Sequence, residues 1–130
     1  MNETIPSHSG MAAGGVVNNN PANVAVIILT CNEEANIVQA LDSVVGWARE
    51  VFILDSLSTD RTIEIAGRYP CSIHQNRFEN FARQRNYALK HLPIQSEWIL
   101  FLDADEWLPM ELKSEISDLI VRNPEENGYY

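Results

Sequence analysis

Residues 24–30 read VAVIILT, an unbroken run of β-branched and aliphatic side chains that closes on a threonine. A strand with one wet face alternates apolar and polar residues, whereas a continuous run is typical of a strand covered on both faces. Strands of that kind belong to parallel sheets, whose crossover helices cover them. This run therefore favours an α/β fold over an all-β or all-α one.

The rest of the chain supports the same fold class. Further strands are predicted at residues 51–54, at 71–74, where the pattern is weaker, and at 98–102. Helical spacing of apolar residues separates them and follows the last one, which predicts an α/β protein with a parallel, Rossmann-like sheet of about four strands and flanking helices. The common doubly wound order 3-2-1-4 would make the first and fourth strands neighbours, with helices leaving to opposite faces.

Local signals place the helix boundaries. Asn32 is predicted to cap the first helix, with Glu33 and Glu34 in its first turn. The second helix is expected at residues 61–68, and Pro109 is expected as the first residue of the last helix, which 123–124 should end. The third helix is predicted to bury one stripe, made of Phe78, Phe81, Ala82, Arg85, Leu89 and Leu92.

Length and charge limit the organisation and the partners. The chain has 130 residues and a net charge of −9. We expect a disordered tail over residues 1–23, rich in Gly, Asn and Ser, and one domain over 24–130. The acidic balance argues against nucleic acid as a partner. Two cysteines, Cys31 and Cys71, in no metal-ligand spacing favour a reduced cytoplasmic setting.

Polar residues follow the predicted strands, and parallel strands bring their carboxyl ends to one edge of the sheet. Asp103-Ala-Asp105 follows the fourth strand. Two carboxylates at roughly 5 Å in an effective dielectric near 20 repel by about 3 kcal/mol, so a cation, a proton or full solvation must relieve them. Mg²⁺ or Mn²⁺ suits such oxygen ligands. The alternative is a solvated acidic turn that caps the last helix.

Two other residues also have two interpretations. Arg85 on an apolar helical stripe needs an anionic partner, which is either a sheet-edge carboxylate such as Asp55 or a bound nucleotide or diphosphate. Asp55 either accepts a hydrogen bond from a ligand or caps the helix that follows residues 58–60.

Four stretches together resemble the N-terminal half of family-2 glycosyltransferases with the GT-A fold. They are VIILTCNEEANI, VFILDSLSTDRT, FARQRNYALKH and WILFLDADEW, in the family's order, and they span most of residues 24–107. Within the family they are most similar to the branch that resembles bacterial lipopolysaccharide-core β-1,4-glucosyltransferases.

The resemblance implies a UDP-sugar donor, a divalent cation and an inverting sugar transfer. It places Thr30, Asn32 and Glu33 in the loop that meets the nucleotide, and Asp55 and Ser56 at the uracil or ribose. Arg85 matches the family's cleft arginine. Asp103 and Asp105 match the metal-binding D-x-D motif; Asp103 is also counted among the nucleotide contacts, and Asp105 is expected to be the direct metal ligand.

The chain departs from the family at two positions. Many relatives have an aromatic residue at the position of Cys31, and a thiol stacks poorly on a base. The related branch has Gly at the position of Leu57, which would be strained by roughly 1 kcal/mol or more if this turn needs a positive φ.

The resemblance also sets the expected biology. The acceptor would be a carbohydrate or a lipid-linked saccharide in lipopolysaccharide or cell-surface polysaccharide synthesis. The protein would be cytoplasmic, with peripheral contact at the inner face of the cytoplasmic membrane through its acceptor. The general base and the acceptor half are expected beyond residue 130. The alternative function is therefore that of a non-catalytic nucleotide-binding fragment. A third hypothesis is a Mg²⁺-dependent phosphohydrolase.

Overall fold

The computed structural model of the chain describes residues 21–122. Strands and helices alternate throughout this part. In chain order they are β1 (Ala22–Thr30), α1 (Ile37–Val44), β2 (Ala48–Asp55), α2 (Thr62–Ala66), β3 (Ser72–Gln75), α3 (Phe81–His91), β4 (Trp98–Asp103) and α4 (Met110–Arg122).

The strands form one parallel sheet in the order β3-β2-β1-β4, which confirms the predicted sheet and strand order. Strand β1 is central and pairs with both β2 and β4. Its residues from Val24 to Ile28 are fully buried, as a strand covered on both faces should be.

Strand β1 begins at Ala22, two residues before the predicted start, because the Ala22 amide donates a hydrogen bond to the Trp47 carbonyl at 2.8 Å. The predicted tail therefore does not include residues 22 and 23. The rest of that prediction, over residues 1–20, lies outside the described residues, as does the predicted helix stop at 123–124.

The two faces of the sheet are covered unequally. One cluster joins Val26, Ile28 and Ile53 to apolar residues of α1, α2 and α4. The opposite cluster joins Ile27 and Leu54 to Ala88 of α3 and to Leu92, which directly follows that helix. Helices α1, α2 and α4 therefore share one face, and α3 covers the other.

The prediction that the helices after β1 and β4 leave to opposite faces is wrong. Helix α4 returns to the face of α1, where the Lys113 ammonium donates to the Ser43 carbonyl at 2.8 Å. The Trp47 indole N–H also donates to the Ser117 hydroxyl at 3.0 Å. These two bonds and the burial of Ile116 and Ile120 hold α4 beside α1.

Helix α1 starts later than predicted, at Ile37, with Asn36 at the cap position. The predicted capping role of Asn32 is wrong, and Glu33 and Glu34 are not in the first helical turn. Pro109 precedes α4 rather than opening it, and its carbonyl accepts from the Lys113 amide at 3.0 Å. No helix within residues 21–122 is long and apolar enough to cross a membrane.

The predicted buried stripe of α3 is also largely wrong. Gln84 and Ala88 face the sheet, whereas Phe81, Arg85 and Leu89 are exposed. A buried glutamine is stable here because its amide is satisfied by hydrogen bonds described below. The spacing of apolar residues cannot reveal that a glutamine will be satisfied by hydrogen bonds. The predicted buried face therefore included the aromatic side chains instead of Gln84.

Candidate functional site

The loops after β1, β2 and β4 meet at the carboxyl edge of the sheet. The register places Thr30 opposite Asp55 and Leu29 opposite Asp103. In open parallel sheets this edge is where ligands bind. The residues that follow these strands therefore form the candidate site.

Asp55 is the buried anchor of this edge, with 0 % of its surface exposed. Its Oδ1 accepts from the Thr30 hydroxyl at 2.5 Å and from the Ser58 hydroxyl at 2.6 Å. Its Oδ2 accepts from the Ser58 amide at 2.7 Å and from the Gln75 side-chain amide at 3.1 Å. These bonds link the ends of β1, β2 and β3.

This geometry disfavours the interpretation of Asp55 as a direct acceptor for a nucleotide. Both of its oxygens are buried and each accepts two hydrogen bonds from the protein. Thr30 is also buried. Neither residue presents a free oxygen to the surface, so both position the loops instead.

Asn32 fastens the first loop to the second. It has φ +54°, a conformation that asparagine tolerates better than most residues. Its Oδ1 accepts from the amides of Thr59 and Asp60 at 2.8 and 3.3 Å, and its own amide donates to the Ser58 hydroxyl at 2.8 Å. These long-range bonds replace the helix cap expected of this residue.

The two glutamates after Asn32 extend the same connection. The Glu33 amide donates to the Thr62 hydroxyl at 2.8 Å, and the Glu34 amide donates to Asp60 at 3.2 Å. In return, the Arg61 amide donates to the Glu34 carboxylate at 2.9 Å. The two loops are thus joined at successive residues, which fixes the backbone that any ligand at this edge would meet.

Ser56 connects these loops to α3. Its hydroxyl accepts from the Gln84 side-chain amide at 3.1 Å, while the Cys31 thiol donates to its carbonyl at 3.7 Å. The same Gln84 amide donates to the Asn76 carbonyl, and its oxygen accepts from the Asn76 side chain at 2.9 Å. The sequence analysis missed Gln84, because a glutamine beside an expected apolar stripe carries no local sign that it is buried.

Leu57 lies at the turn between Asp55 and Ser58. Its φ is +57°, and 51 % of its surface is exposed. The turn therefore needs the left-handed conformation that glycine adopts without steric cost. The strain expected for a branched side chain at this position applies.

The acidic segment after β4 gathers like charges. The Asp103 amide donates to the Glu106 carboxylate at 2.9 Å. Partial burial raises the pKa of Asp103, and the negative charges of Glu106, Asp105 and Glu33 raise it further, while the Arg85 guanidinium opposes them. Asp103 therefore lies in a negative field in which Arg85 is the counter-charge.

An open cavity of about 620 Å³ lies between α3 and this segment. Arg85 and Asp103 line it together with Ala82, Asn86, Leu89, Phe101 and Glu106. The Arg85 guanidinium carbon is 5.7 Å from the centroid of the Phe101 ring. Of the two interpretations of Arg85, a salt bridge to Asp55 is not formed, and the residue faces this cavity instead.

The carboxylates fit a cation that is shared with a ligand better than one held by protein alone. Within residues 21–122, no three His, Cys, Asp or Glu side chains are grouped to hold a metal ion. Mg²⁺ is commonly bound by one or two carboxylates together with substrate phosphates and water. Asp103 and Asp105, both exposed, match that smaller donor set.

The structure therefore separates the predicted site residues into two groups. Thr30 and Asp55 are buried, while Asn32, Glu33 and Ser56 lie in the interlocked loops. The residues of the acidic cavity are Arg85 and Asp103, and Asp105 follows in the same exposed segment.

The model of the family described as glycosyl transferase family 2 matches residues 25–127. An uncharacterized glycosyltransferase of Rickettsia bellii is 37% identical over 93 residues, which is 72% of this chain and 31% of that protein. The prophage-derived glycosyltransferase SunS of Bacillus subtilis is 36% identical, over 69% of this chain and 22% of that protein.

Solved structures with a similar fold agree with this family match. TarS of S. aureus, residues 1–349 in complex with UDP, superposes with a TM-score of 0.60 at 27% identity, covering 78% of this chain and 32% of that one. The neighbours confirm the predicted Rossmann-like sheet of the GT-A type. The chain spans about a third or less of the length of these relatives.

The Asp55 bonds predict a large loss of stability for Asp55→Asn. The amide keeps the size but replaces one acceptor oxygen with a donor, so buried donors lose their partner. We expect a loss of about 3 kcal/mol in unfolding free energy, measured by urea denaturation. The matched control is Asp42→Asn, an exposed carboxylate that accepts from the Tyr69 hydroxyl. Equal losses in the two variants would contradict the assigned role.

The positive φ of Leu57 predicts that Leu57→Gly stabilises the protein by about 1 kcal/mol, because relief of strain outweighs the greater freedom of glycine when unfolded. Thermal melts should show a higher midpoint. Leu57→Ala is the control, since it keeps the Cβ atom and its strain and should show no gain. A lower midpoint for the glycine variant would reject strain at this turn.

Proposed function

The chain belongs to glycosyl transferase family 2, and we propose that it forms the donor-binding part of an enzyme that transfers a sugar from a nucleotide sugar to a carbohydrate. The observation that carries this proposal is the cavity in which Arg85 faces Asp103 at the carboxyl edge of a parallel sheet. A diphosphate bridged to a metal ion needs a positive side chain for its own charge and carboxylates for the metal. Arg85 and the acidic segment after β4 offer these two groups side by side.

The proposed donor is a UDP-sugar. The support comes from TarS, which is similar in fold and was solved with UDP. In this chain the exposed side of the interlocked loops, at Asn32, Glu33 and Ser56, would receive the nucleoside. Arg85 would pair with the diphosphate, since a guanidinium can make a planar two-point contact with phosphate oxygens.

We propose that Asp103 and Asp105 hold Mg²⁺ or Mn²⁺, with Asp105 as the direct ligand. When bound, the ion would neutralise charge on the departing diphosphate as a Lewis acid. The residues' own contribution is to concentrate negative charge at a partly open edge. That field favours a divalent cation and repels a phosphate that arrives without one.

The finer proposals follow the resemblance. The transfer would be inverting, with a carboxylate base that takes the proton of the acceptor hydroxyl; we assign that base to a part of the protein outside residues 21–122. The acceptor would be a carbohydrate or lipid-linked saccharide of bacterial lipopolysaccharide-core or cell-surface polysaccharide synthesis. The enzyme would work in the cytoplasm, at the inner face of the cytoplasmic membrane.

Binding of UDP and of the metal ion should be coupled, because each relieves the charge that disfavours the other. Calorimetric titration of UDP should show tighter binding with Mn²⁺ than without it, and UDP should raise Mn²⁺ affinity by the same factor. Asp105→Asn should abolish the coupling, and Asp103→Asn should weaken it less. Asp118→Asn on α4 is a control that removes one exposed carboxylate from another part of the chain and should leave the coupling unchanged.

The outcome discriminates between the candidate functions. Equal UDP affinity with and without Mn²⁺ would reject the shared metal site and leave the acidic segment as a solvated turn. Coupled binding without sugar transfer by the chain alone would identify it as a nucleotide-binding fragment. Release of phosphate in the absence of any acceptor would instead favour the phosphohydrolase.

The position of Arg85 in the cavity predicts that Arg85→Lys weakens UDP binding by about tenfold, because an ammonium cannot reproduce the two-point contact. The same titration measures this loss, and circular dichroism checks the fold. Arg83→Lys on the same helix, outside this cavity, is the matched control. Unchanged UDP affinity in Arg85→Lys would remove Arg85 from the site.

A further inference from the structure

Phe101 lies on the face of β4 that α3 only partly covers. Side chains alternate along a strand, and its neighbours Leu100 and Leu102 belong to the cluster on the side of α1, α2 and α4. Phe101 packs against the opposite cluster and remains half-buried. Asp103, two residues further along, points to the same face, and both residues line the cavity. The sheet therefore presents an aromatic ring beside the acidic segment.

Arg85 reaches this ring from α3. Its guanidinium carbon lies over the ring, 5.7 Å from the centroid, within the roughly 6 Å at which an aromatic face attracts a cation. The backbone at Arg85 is held in place, because the neighbouring Gln84 is buried and donates to the Ser56 hydroxyl and the Asn76 carbonyl. The Arg85 side chain is long and exposed, so its direction depends on what the guanidinium contacts.

The guanidinium is near carboxylates but is not paired with one. Asp103 and Glu106 line the same cavity, yet none of the ion pairs within residues 21–122 includes Arg85. A carboxylate partner would occupy the N–H groups that a phosphate needs, since both anions make the same two-point contact. An aromatic ring attracts the cation through its face and leaves those N–H groups free.

We propose that Phe101 is a positioning residue for the donor diphosphate. Its ring holds the Arg85 guanidinium at the cavity with its N–H groups free, and so keeps it from pairing with Asp103. This inference rests on the proposed function, in which Arg85 contacts the diphosphate. A guanidinium that is already held loses less side-chain freedom when the diphosphate binds, and this raises the affinity.

The alternative role for Phe101 is apolar packing between β4 and α3. A packing residue would act on the stability of the fold, and its effect on a ligand would not depend on the side chain at position 85. A positioning residue acts on the ligand only while the guanidinium is present. A double-mutant cycle separates these two roles, because it measures whether the effects of the two residues are coupled.

The test is a calorimetric titration of UDP, with Mn²⁺ present, on a cycle of Phe101→Leu and Arg85→Gln. Leucine keeps an apolar side chain but removes the aromatic face. We expect Phe101→Leu to weaken UDP binding about fivefold when Arg85 is present, and by less than about twofold in the Arg85→Gln background. Phe101→Tyr keeps the aromatic face and should bind UDP as the wild type does.

The matched control is Ile99→Ala. Ile99 is half-buried on the same face of β4, two residues before Phe101, and is not among the residues that line the cavity. Its truncation should lower the unfolding midpoint and leave UDP affinity unchanged. Unfolding midpoints confirm that each variant is folded. Equal losses of UDP affinity in Ile99→Ala and Phe101→Leu would assign Phe101 to packing and overturn the proposal.

A second measurement needs no ligand. In the free protein, the ring current of Phe101 should shift the NMR signals of the Arg85 side chain upfield. The shift should vanish in Phe101→Leu and persist in Phe101→Tyr. A wild type without this shift would overturn the proposal, as would an equal effect of Phe101→Leu on UDP affinity in both backgrounds. Absence of UDP binding by the wild type, with the shift present, would instead reject the proposed function, and with it the role of Phe101 toward a diphosphate.

Discussion

The arrangement of the carboxyl edge depends on the buried side chain of Asp55. Buried polar groups destabilise a fold unless they are paired, and each Asp55 oxygen accepts two hydrogen bonds. These hydrogen bonds fix the ends of β1, β2 and β3 and the turn at Ser58 relative to one another. Ser58 then orients Asn32, which holds the next amides of the same loop. The loops at this edge are therefore held in one conformation by the protein itself, which would lower the conformational entropy lost on binding a ligand there.

Unequal coverage of the sheet creates the cavity. Three helices share one face, and α3 alone packs on the other, over β1 and β2. Along β4 the α3 side is left partly open, so Phe101 remains half-buried beneath Arg85. The acidic residues at the end of β4 thus face the Arg85 guanidinium across the cavity. An opening of this kind between a helix and an edge strand can admit a charged ligand without disturbing the core.

The strands were predictable because their signal is local: a continuous apolar run can be stable only where both faces are covered. The gathering of the residues that follow the strands was also predictable, because parallel strands bring their carboxyl ends to one edge of the sheet. The orientation of α3 was not. Its sequence offers Phe78, Phe81 and Leu89 as a stripe, but the sheet accepts Gln84 and Ala88. Gln84 gains a hydrogen bond to Ser56, 28 residues earlier in the chain, and another to Asn76 in the loop before the helix. The role of Asn32 in joining the two loops was not predictable either, because its partners lie 27 and 28 residues away.

The sequence alone determined the alternation of strands and helices, the parallel sheet and the collection of carboxylates at one edge, because periodicity and burial act over a few neighbouring residues. Its family motifs also identified the position at which Leu57 occupies a turn suited to glycine. Only the tertiary structure decided that Asp55 is an internal anchor, that Arg85 faces Asp103, and that the aromatic end of α3 is exposed. Those outcomes depend on which polar groups find partners after the chain has closed on itself, and hydrogen bonds between distant residues leave no periodic trace in the sequence.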